Sequence, residues 1–389
     1  MVNMGELYAF DFISNQSMAL VPLDEREIER FSLRTGDLLF ARQSLVLEGT
    51  GKCSIVASEP ATVTTFESHL IRVRLDATKA EPRFYFYFFG SPQGRAAIQS
   101  IVMQVAAAGI RASELATLEI PVPPLPAQRK IAAVLCAYDD LIENNSRRIK
   151  LLEEMAQRIY REWFVDFRYP GHQGIPLVDS ELGPLPGGWT WVTASEALTI
   201  NPRILVDRAA TRPFVPMTSV SEHEMHITPI EERVAASGSK FVNGDTLFAR
   251  ITPCLENGKT AYVQCLPDGA VASGSTEFIV LRSQRLSPEL TYLLARDERF
   301  RSHAIQSMSG ATGRQRVREE CFESFWLAIP PEAVIDSFAG LIRPMFTLSF
   351  ELFRANSSLR TARDLLLPRL ISGEIDLTDL DIAMPEAAA

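Results

Sequence analysis

The sequence predicts an α+β protein made of two homologous mixed α/β domains and two long antiparallel coiled-coil helices. Three observations predict it. The chain contains an internal duplication, each copy mixes short strands with helices, and each copy is followed by apolar residues spaced alternately four and three apart.

The duplication organises everything else. Thr35-Gly36-Asp37-Leu38-Leu39-Phe40-Ala41-Arg42 matches Asn243-Gly244-Asp245-Thr246-Leu247-Phe248-Ala249-Arg250, with the aspartates 208 residues apart (245 − 37 = 208). At the same offset Leu70-Ile71-Arg72-Val73-Arg74 falls on Phe278-Ile279-Val280-Leu281-Arg282. With small insertions the series runs on through Pro82 and Pro288, then Ile98-Gln99-Ser100 and Ile305-Gln306-Ser307, to Pro123-Pro124 and Pro330-Pro331. An ordered series over about ninety positions is no chance match, and its period far exceeds the ~20–50 residues of a solenoid. It predicts two homologous domains, at 1–123 and 169–330.

Within each copy, Asp37–Arg42 and Asp245–Arg250 read as short strands opened by a Gly-Asp turn. Val63–Arg74 and Glu277–Leu281 alternate in part and are rich in β-branched residues, again as strands do. Arg83–Ser100 and Glu289–Ser307 carry apolar residues on one face and Arg, Gln and Ser on the other, which predicts helix.

The segment 124–168 places Ile131, Leu135, Tyr138, Ile142, Asn145, Ile149, Leu152, Ala156, Ile159 and Trp163 in four-three steps. That is the a/d seam of a left-handed coiled coil, and its one polar member, Asn145, is of the type that fixes register. The segment 331–373 repeats the pattern at Val334, Phe338, Leu341, Met345, Leu348, Leu352, Ala355, Leu359, Ala362 and Leu366. Pro344 is expected to kink or break this second helix. Residues 374–389 are read as a tail. Two seams with one partner each most simply pack on one another. A helix from Ile131 to Trp163 spans roughly 50 Å at ~1.5 Å per residue. Antiparallel pairing would carry one domain to each end of a rod, spaced by more than one DNA turn of ~34–36 Å. Such a shape suits the reading of two short half-sites across an unread gap.

Composition sets outer limits. The 389 residues have ordinary globular content, 46% hydrophobic and 22% charged. No uncharged apolar run is long enough to predict a membrane span, and Met1–Phe12 carries acids where a signal peptide is basic. The five cysteines, Cys53, Cys136, Cys254, Cys265 and Cys321, form no CxxC pair, so neither disulfide framework nor zinc site is suggested and a cytoplasmic setting is expected. The net charge of −9 weighs against nucleic acid, although a DNA reader needs only a local basic surface.

Particular stretches then resemble the DNA specificity subunits of Type I restriction–modification systems. They are Ile120–Ala132 with its Pro-Leu-Pro-Ala-Gln-Arg core, Asp139–Asn145, Arg161-Glu162-Trp163-Phe164-Val165-Asp166-Phe167, Gly183–Trp189 and Leu365–Ile375. In order they match the start and end of the family's central helix, its entry into the second recognition domain and its C-terminal signature. The resemblance implies two target-recognition domains, each reading half of a split double-stranded DNA sequence. It also implies methyltransferase subunits docked on the helices, and restriction/translocase subunits beyond them. S-adenosylmethionine, ATP and Mg²⁺ belong to those partners; no cofactor or membrane is implied for this chain. Two departures stand out. Copy one has no counterpart of Gly183–Trp189, as if it were shortened or began downstream, and the second helix has Ala333-Val334 where the first has Gln128-Arg129.

Candidate DNA-binding residues follow from the copies. Arg42 and Arg250 recur at strand ends, either as salt-bridged edges or as shared phosphate contacts. Lys52 and Lys259 sit in Gly-Lys pairs that faintly resemble phosphate loops, but Val46 and Pro253 stand where such a loop needs glycine. A shared hairpin turn, with lysines free to touch phosphates, is the better reading. The loop Gly310–Arg318 offers Arg314, Gln315, Arg316 and Arg318 beside glycines, a composition suited to guanine and adenine edges. Arg111 lies in its less basic counterpart. Gln128, Arg129, Trp163 and Phe164 are the candidates for subunit docking, although for the two aromatics helix-end packing is the favoured reading and a methyltransferase-subunit contact the alternative. His69, His172, His223, His226 and His303 show no metal spacing. No catalytic constellation is visible, so a non-catalytic scaffold is expected. A coiled-coil adaptor that reads no DNA, or a DNA enzyme with an unrecognised motif, remains the alternative.

Overall fold

The computed structural model describes residues 1–382 apart from 45, 47, 48, 105–107, 208, 235, 236 and 312. It divides into two compact units, Met1–Glu143 with the chain from Ser357 onward, and Asn144–Asn356. Each holds one copy of the repeat together with a stretch of both long helices.

Each copy is built on the same three antiparallel strands, with the first strand in the middle and the other two on either side of it. In the first, Leu38–Ala41 lies between Cys53–Val56 and Leu70–Val73; in the second, Thr246–Ala249 lies between Thr260–Tyr262 and Phe278–Ser283. Leu38 faces Val73 and Thr246 faces Leu281, so both partners shift together by 208. On the other edge Leu38 faces Ile55 while Thr246 faces Tyr262, and this strand shifts by 207 (262 − 55 = 207). The one-residue difference is absorbed in the turn between them.

The recurring Gly-Asp pair has a physical role in that sheet. Gly36 and Gly244 take positive φ, 84° and 91°, which costs a residue with a Cβ and costs glycine little. The aspartate that follows is 1% exposed in both copies. Asp37 accepts two bonds from Arg74, at 2.7 and 2.6 Å, and one from the Arg34 amide at 2.9 Å. Asp245 accepts two from Arg282, both at 2.7 Å, and one from the Val242 amide at 2.8 Å. A buried carboxylate is tolerated only when its lone pairs are satisfied in this way. The short string legible in the sequence is therefore an ionic lock between neighbouring strands.

The copies differ at their edges. The fourth strand of the first sheet, Phe12–Ile13, runs parallel to Cys53–Val56, whereas Leu198–Ile200 joins the opposite edge of the second. Copy two adds a further sheet from Thr211–Val215, Glu231–Val234, Ser239–Phe241 and Ala272–Gly274. It also pairs Thr190–Thr193 with Trp326–Ile329, while the matching stretch of copy one, residues 118–124, forms no strand. The predicted strand over Val63–Arg74 is confined to Leu70–Val73. Each predicted long helix is in fact two. Pro82–Gly90 is followed by Pro92–Ser100, and Pro288–Arg296 by Glu298–Gln306, because Ser91 and Asp297 each end one helix and cap the next with their side chains.

The central helix runs Leu125–Tyr160 and widens into a π-turn over Arg161–Val165; the distal helix runs Glu332–Ile371. In the first unit Asp139 meets Arg363, and Leu370 and Ile371 pack with Ile131 and Leu135. In the second, Asn145 bonds Asn356 at 3.0 Å and Trp163 packs on Phe338 with ring centroids 5.5 Å apart. Within each unit the helices are thus antiparallel partners, as the two seams predicted. The distal seam is not the predicted one. Leu341 is 43% exposed while Ile342 is fully buried, and Ser349 and Asn356 hold the buried positions that Leu348 and Ala355 were expected to fill. An apolar-only reading slides by one residue because two seam positions are polar and hydrogen-bonded. Pro344 does not end the distal helix either. It lies on the exposed side, one turn after exposed Gly340, so the carbonyl it leaves without a donor faces water. This helix is long and apolar enough to cross a bilayer by composition, yet Phe338, Ile342, Phe346, Leu370 and Ile371 spend its apolar face in the two cores.

Candidate nucleic-acid interface

In both copies the strand carrying the Gly-Asp lock leads to a short hairpin that is the most basic feature of copy two. In copy one Gln43–Ser44 pairs with Ala108–Gly109, which pairs with Met103–Gln104. In copy two Ile251 and Ser309 each bridge to Arg316. The hairpins occupy equivalent places, since the Ile110 amide donates to the Arg42 carbonyl and the Val317 amide to the Arg250 carbonyl, both at 2.8 Å. Gly310 and Gly313, with φ of 128° and 80°, shape the second tip, and the Arg314 amide closes a turn on Ala311 at 2.9 Å. Thr312 of this loop lies outside the described residues.

The basic candidates separate by what they already hold. Arg314 is exposed, and neither its guanidinium nor the Gln315 amide has a side-chain partner among the described residues; the Gln315 backbone N–H donates to the Thr252 hydroxyl at 3.2 Å. Arg316 is engaged by Glu277 through Nε at 2.9 and 3.0 Å and through a terminal nitrogen at 2.6 Å. That guanidinium, with help from Arg250, holds the Glu277 carboxyl below the usual carboxylate range. Arg318 donates to the Ser309 hydroxyl at 2.9 Å across the hairpin base. Arg111, its counterpart, is exposed at the start of the short helix Ala112–Ala116.

The two strand-end arginines do different jobs. Arg250 is turned inward, donating to the Val317 carbonyl at 2.7 Å and lying 3.6 Å from Glu319, which also accepts from Asn201 at 2.7 Å. Arg42 is exposed, with one long contact of 3.4 Å to the Ser68 carbonyl. The Gly-Lys pairs are the turns of equivalent hairpins, with Gly51 and Gly258 at positive φ. Lys52 reaches the Tyr8 carbonyl at 2.9 Å and Asp11 at 3.2 Å, and Lys259 reaches the Met217 carbonyl at 3.2 Å. Both lysines brace the fold, which leaves Arg42, Arg111 and Arg314 exposed and without a side-chain partner among the described residues, with Gln315 half-buried beside Arg314.

The docking candidates also divide. Gln128 is fully buried; it accepts from the Glu81 amide at 2.8 Å and donates to the Pro123 and Lys79 carbonyls at 2.7 and 3.1 Å. Trp163 is 7% exposed, and Phe164 packs edge-on against Phe338 at 4.8 Å. These three hold the helices to their domains, while Arg129 on the next position points outward. Glu277, Glu319 and Asn201 were not foreseen from the sequence. No periodicity marks them, and only the match of Glu277 to His69, just before Phe278–Ser283 and Leu70–Val73 in their sheets, hints at a position that differs between copies.

Comparison with known proteins gives a consistent picture. The family model for the Type I restriction modification DNA specificity domain matches residues 7–154. The Type I restriction enzyme MjaIX specificity subunit of Methanocaldococcus jannaschii is 23% identical over 374 residues, covering 92% of this chain and 82% of that one. The EcoEI specificity subunit of Escherichia coli is 32% identical over 202 residues, covering 50% of this chain and 34% of the relative. The crystal structure of a Type I restriction–modification S subunit from M. genitalium shares the fold, with a TM-score of 0.55 at 12% identity over 93% of this chain and 88% of that one.

Proposed function

We propose that this chain is a Type I restriction–modification DNA specificity subunit, as its likeness to that family over residues 7–154 and to the MjaIX subunit over most of its length supports, and that it reads a two-part asymmetric DNA sequence without catalysing any reaction itself. The observation that carries this reading is the pair of sheets locked by Asp37–Arg74 and Asp245–Arg282 in the same register, each leading to a hairpin of different chemistry. A shared scaffold with divergent tips is what the reading of two unlike half-sites requires. Phosphate contacts then position each domain, and hairpin side chains read base edges. Arg314 and Gln315 serve the second half-site, and Arg42 and Arg111 the first.

Methyltransferase subunits dock on the outward faces of the paired helices, with Arg129 among the contacts, and restriction/translocase subunits join that assembly in the cytoplasm. S-adenosylmethionine, ATP and Mg²⁺ act on those partners. The acidic net charge of −9 fits a chain that binds DNA weakly alone and strongly once assembled. Mapping methylated bases in a host with and without this gene, in the presence of its methyltransferase, tests the proposal. A two-part motif that vanishes with the gene is expected; a continuous motif, or one that persists, would refute it. Purified chain incubated with DNA, Mg²⁺ and S-adenosylmethionine should neither cut nor methylate.

A further inference from the structure

We infer that Glu277 and Arg316 act together as one preassembled reader of a single G·C base pair in the half-site assigned to copy two. The inference rests on the DNA-reading function proposed above, and it adds a residue, Glu277, that neither motif nor repeat assigns.

The geometry of the pair supplies the argument. A guanidinium carries five N–H groups in a fixed fork. Glu277 takes the side edge, through Nε and one terminal nitrogen, at 2.6–3.0 Å. The end edge, with one hydrogen on each terminal nitrogen, stays open, and this is the edge that fits the O6 and N7 of guanine. The Arg316 side chain is 49% exposed and that of Glu277 22%, so the pair stands at the surface with the carboxylate the more recessed. A guanidinium already fixed by a carboxylate has less side-chain freedom to lose on binding. The carboxylate adds a second signal, because glutamate accepts from the N4 amino group of cytosine and is repelled by phosphate and by the acceptor edges of other bases. Donor fork and acceptor side by side thus complement guanine and cytosine of one pair.

The surroundings agree. Arg316 belongs to the hairpin base through its bridges to Ile251 and Ser309, and the Glu277 carbonyl accepts from the Arg250 amide at 3.0 Å, so both side chains grow from fixed backbone. Thr276, the preceding residue, lines an open groove of about 470 Å³ together with Arg203, Leu205 and Lys240, which places further cationic and apolar groups next to the pair. Copy one has His69 at the place of Glu277, and Ala108-Gly109 at the place of Arg316. The device is therefore confined to one half-site, as expected of an element that specifies sequence.

The test is methylation-site mapping with the full chain and its methyltransferase partner, comparing the unaltered protein with Glu277→Gln and Arg316→Ala. Both variants should relax the same G·C pair, with discrimination there falling roughly ten- to hundred-fold, while the other half-site is read as before. Glu277→Gln should also bind a short duplex lacking the motif more tightly, because a carboxylate facing phosphates has been removed. An unchanged motif, loss spread evenly over the whole half-site, or relaxation at two different pairs would each overturn the inference. The intact first half-site reports that the variants fold. If the unaltered complex gives no two-part motif at all, it is the proposed function that has failed.

Discussion

Two buried ionisable side chains meet at consecutive residues of copy two and pull its stability in opposite directions with pH. Glu153 of the central helix accepts the Met225 amide at 3.1 Å, and burial, opposed by that bond and by Arg296, pushes its carboxyl up to about 7 from an ordinary 4.5. His226 lies 2.9 Å from the Ser349 hydroxyl and stacks on Phe353 at 4.6 Å, and burial pulls its imidazole down to about 4 from an ordinary 6.5. A carboxyl raised on folding contributes stability that is full below its ordinary range and is lost as pH rises through about 7. An imidazole lowered on folding contributes stability that is full above its ordinary range and is lost as pH falls through about 4. Between pH 4.5 and 6.5 the two slopes, each about 1.4 kcal/mol per pH unit at most, oppose one another. Urea melts of single variants across that window should separate them. On acidification His226→Gln should gain stability relative to the unaltered chain, and Glu153→Gln should lose it. Parallel curves for all three proteins would show that neither group titrates abnormally.

At the scale of elements, the distal helix shows what a sequence conveys and what it withholds. Its existence and its pairing with the central helix were legible, because four-three spacing survives a one-residue error in the seam. The identity of the seam was not, since Ser349 and Asn356 look like surface residues until their partners, His226 and Asn145, are known. The same limit separated Arg314 from Arg316 only in three dimensions: the residue types were plain, but the Glu277 that occupies one of them lies 39 positions away in the chain. Asn145, by contrast, was recognisable as a polar seam residue, and its bond to Asn356 gives that role a measurable energy. Asn145→Leu should destabilise the second unit by roughly 1–3 kcal/mol, since it leaves the buried Asn356 carbonyl oxygen without this donor. The double variant Asn145→Leu/Asn356→Leu removes donor and acceptor together and should cost about 1 kcal/mol less than the two single losses added. Simple additivity in thermal melts would mean that the amides do not act as a pair.

For the whole molecule, the proposed function raises the question of what would fix the distance between the two half-sites. The two copies are bonded to the helices at named points: Gln128 ties the central helix to the strand-to-helix turn of copy one, and Trp163 and Phe338 tie the helix pair to copy two. The central helix is a single element from Leu125 to Tyr160. The helices are antiparallel partners, with Asn145 opposite Asn356 and Trp163 opposite Phe338, so shortening one alone would set every later seam contact out of register. Removing Asp140–Ser146 together with Asn356–Ala362, seven residues from each helix, takes out the Asn145–Asn356 pair whole and leaves the Asp139–Arg363 pair and the Ser349 and Phe353 contacts of copy two in place. It keeps the seam period and shortens the pair by roughly 10 Å at ~1.5 Å per residue. On DNA with ~10 base pairs per ~34 Å turn, that corresponds to about three base pairs. Methylation mapping with this paired deletion should return the same two half-sites with a gap about three base pairs shorter. Deletion from the central helix alone should abolish methylation by disrupting the seam. The same half-sites at the original gap in the paired deletion would show that something other than helix length sets the spacing.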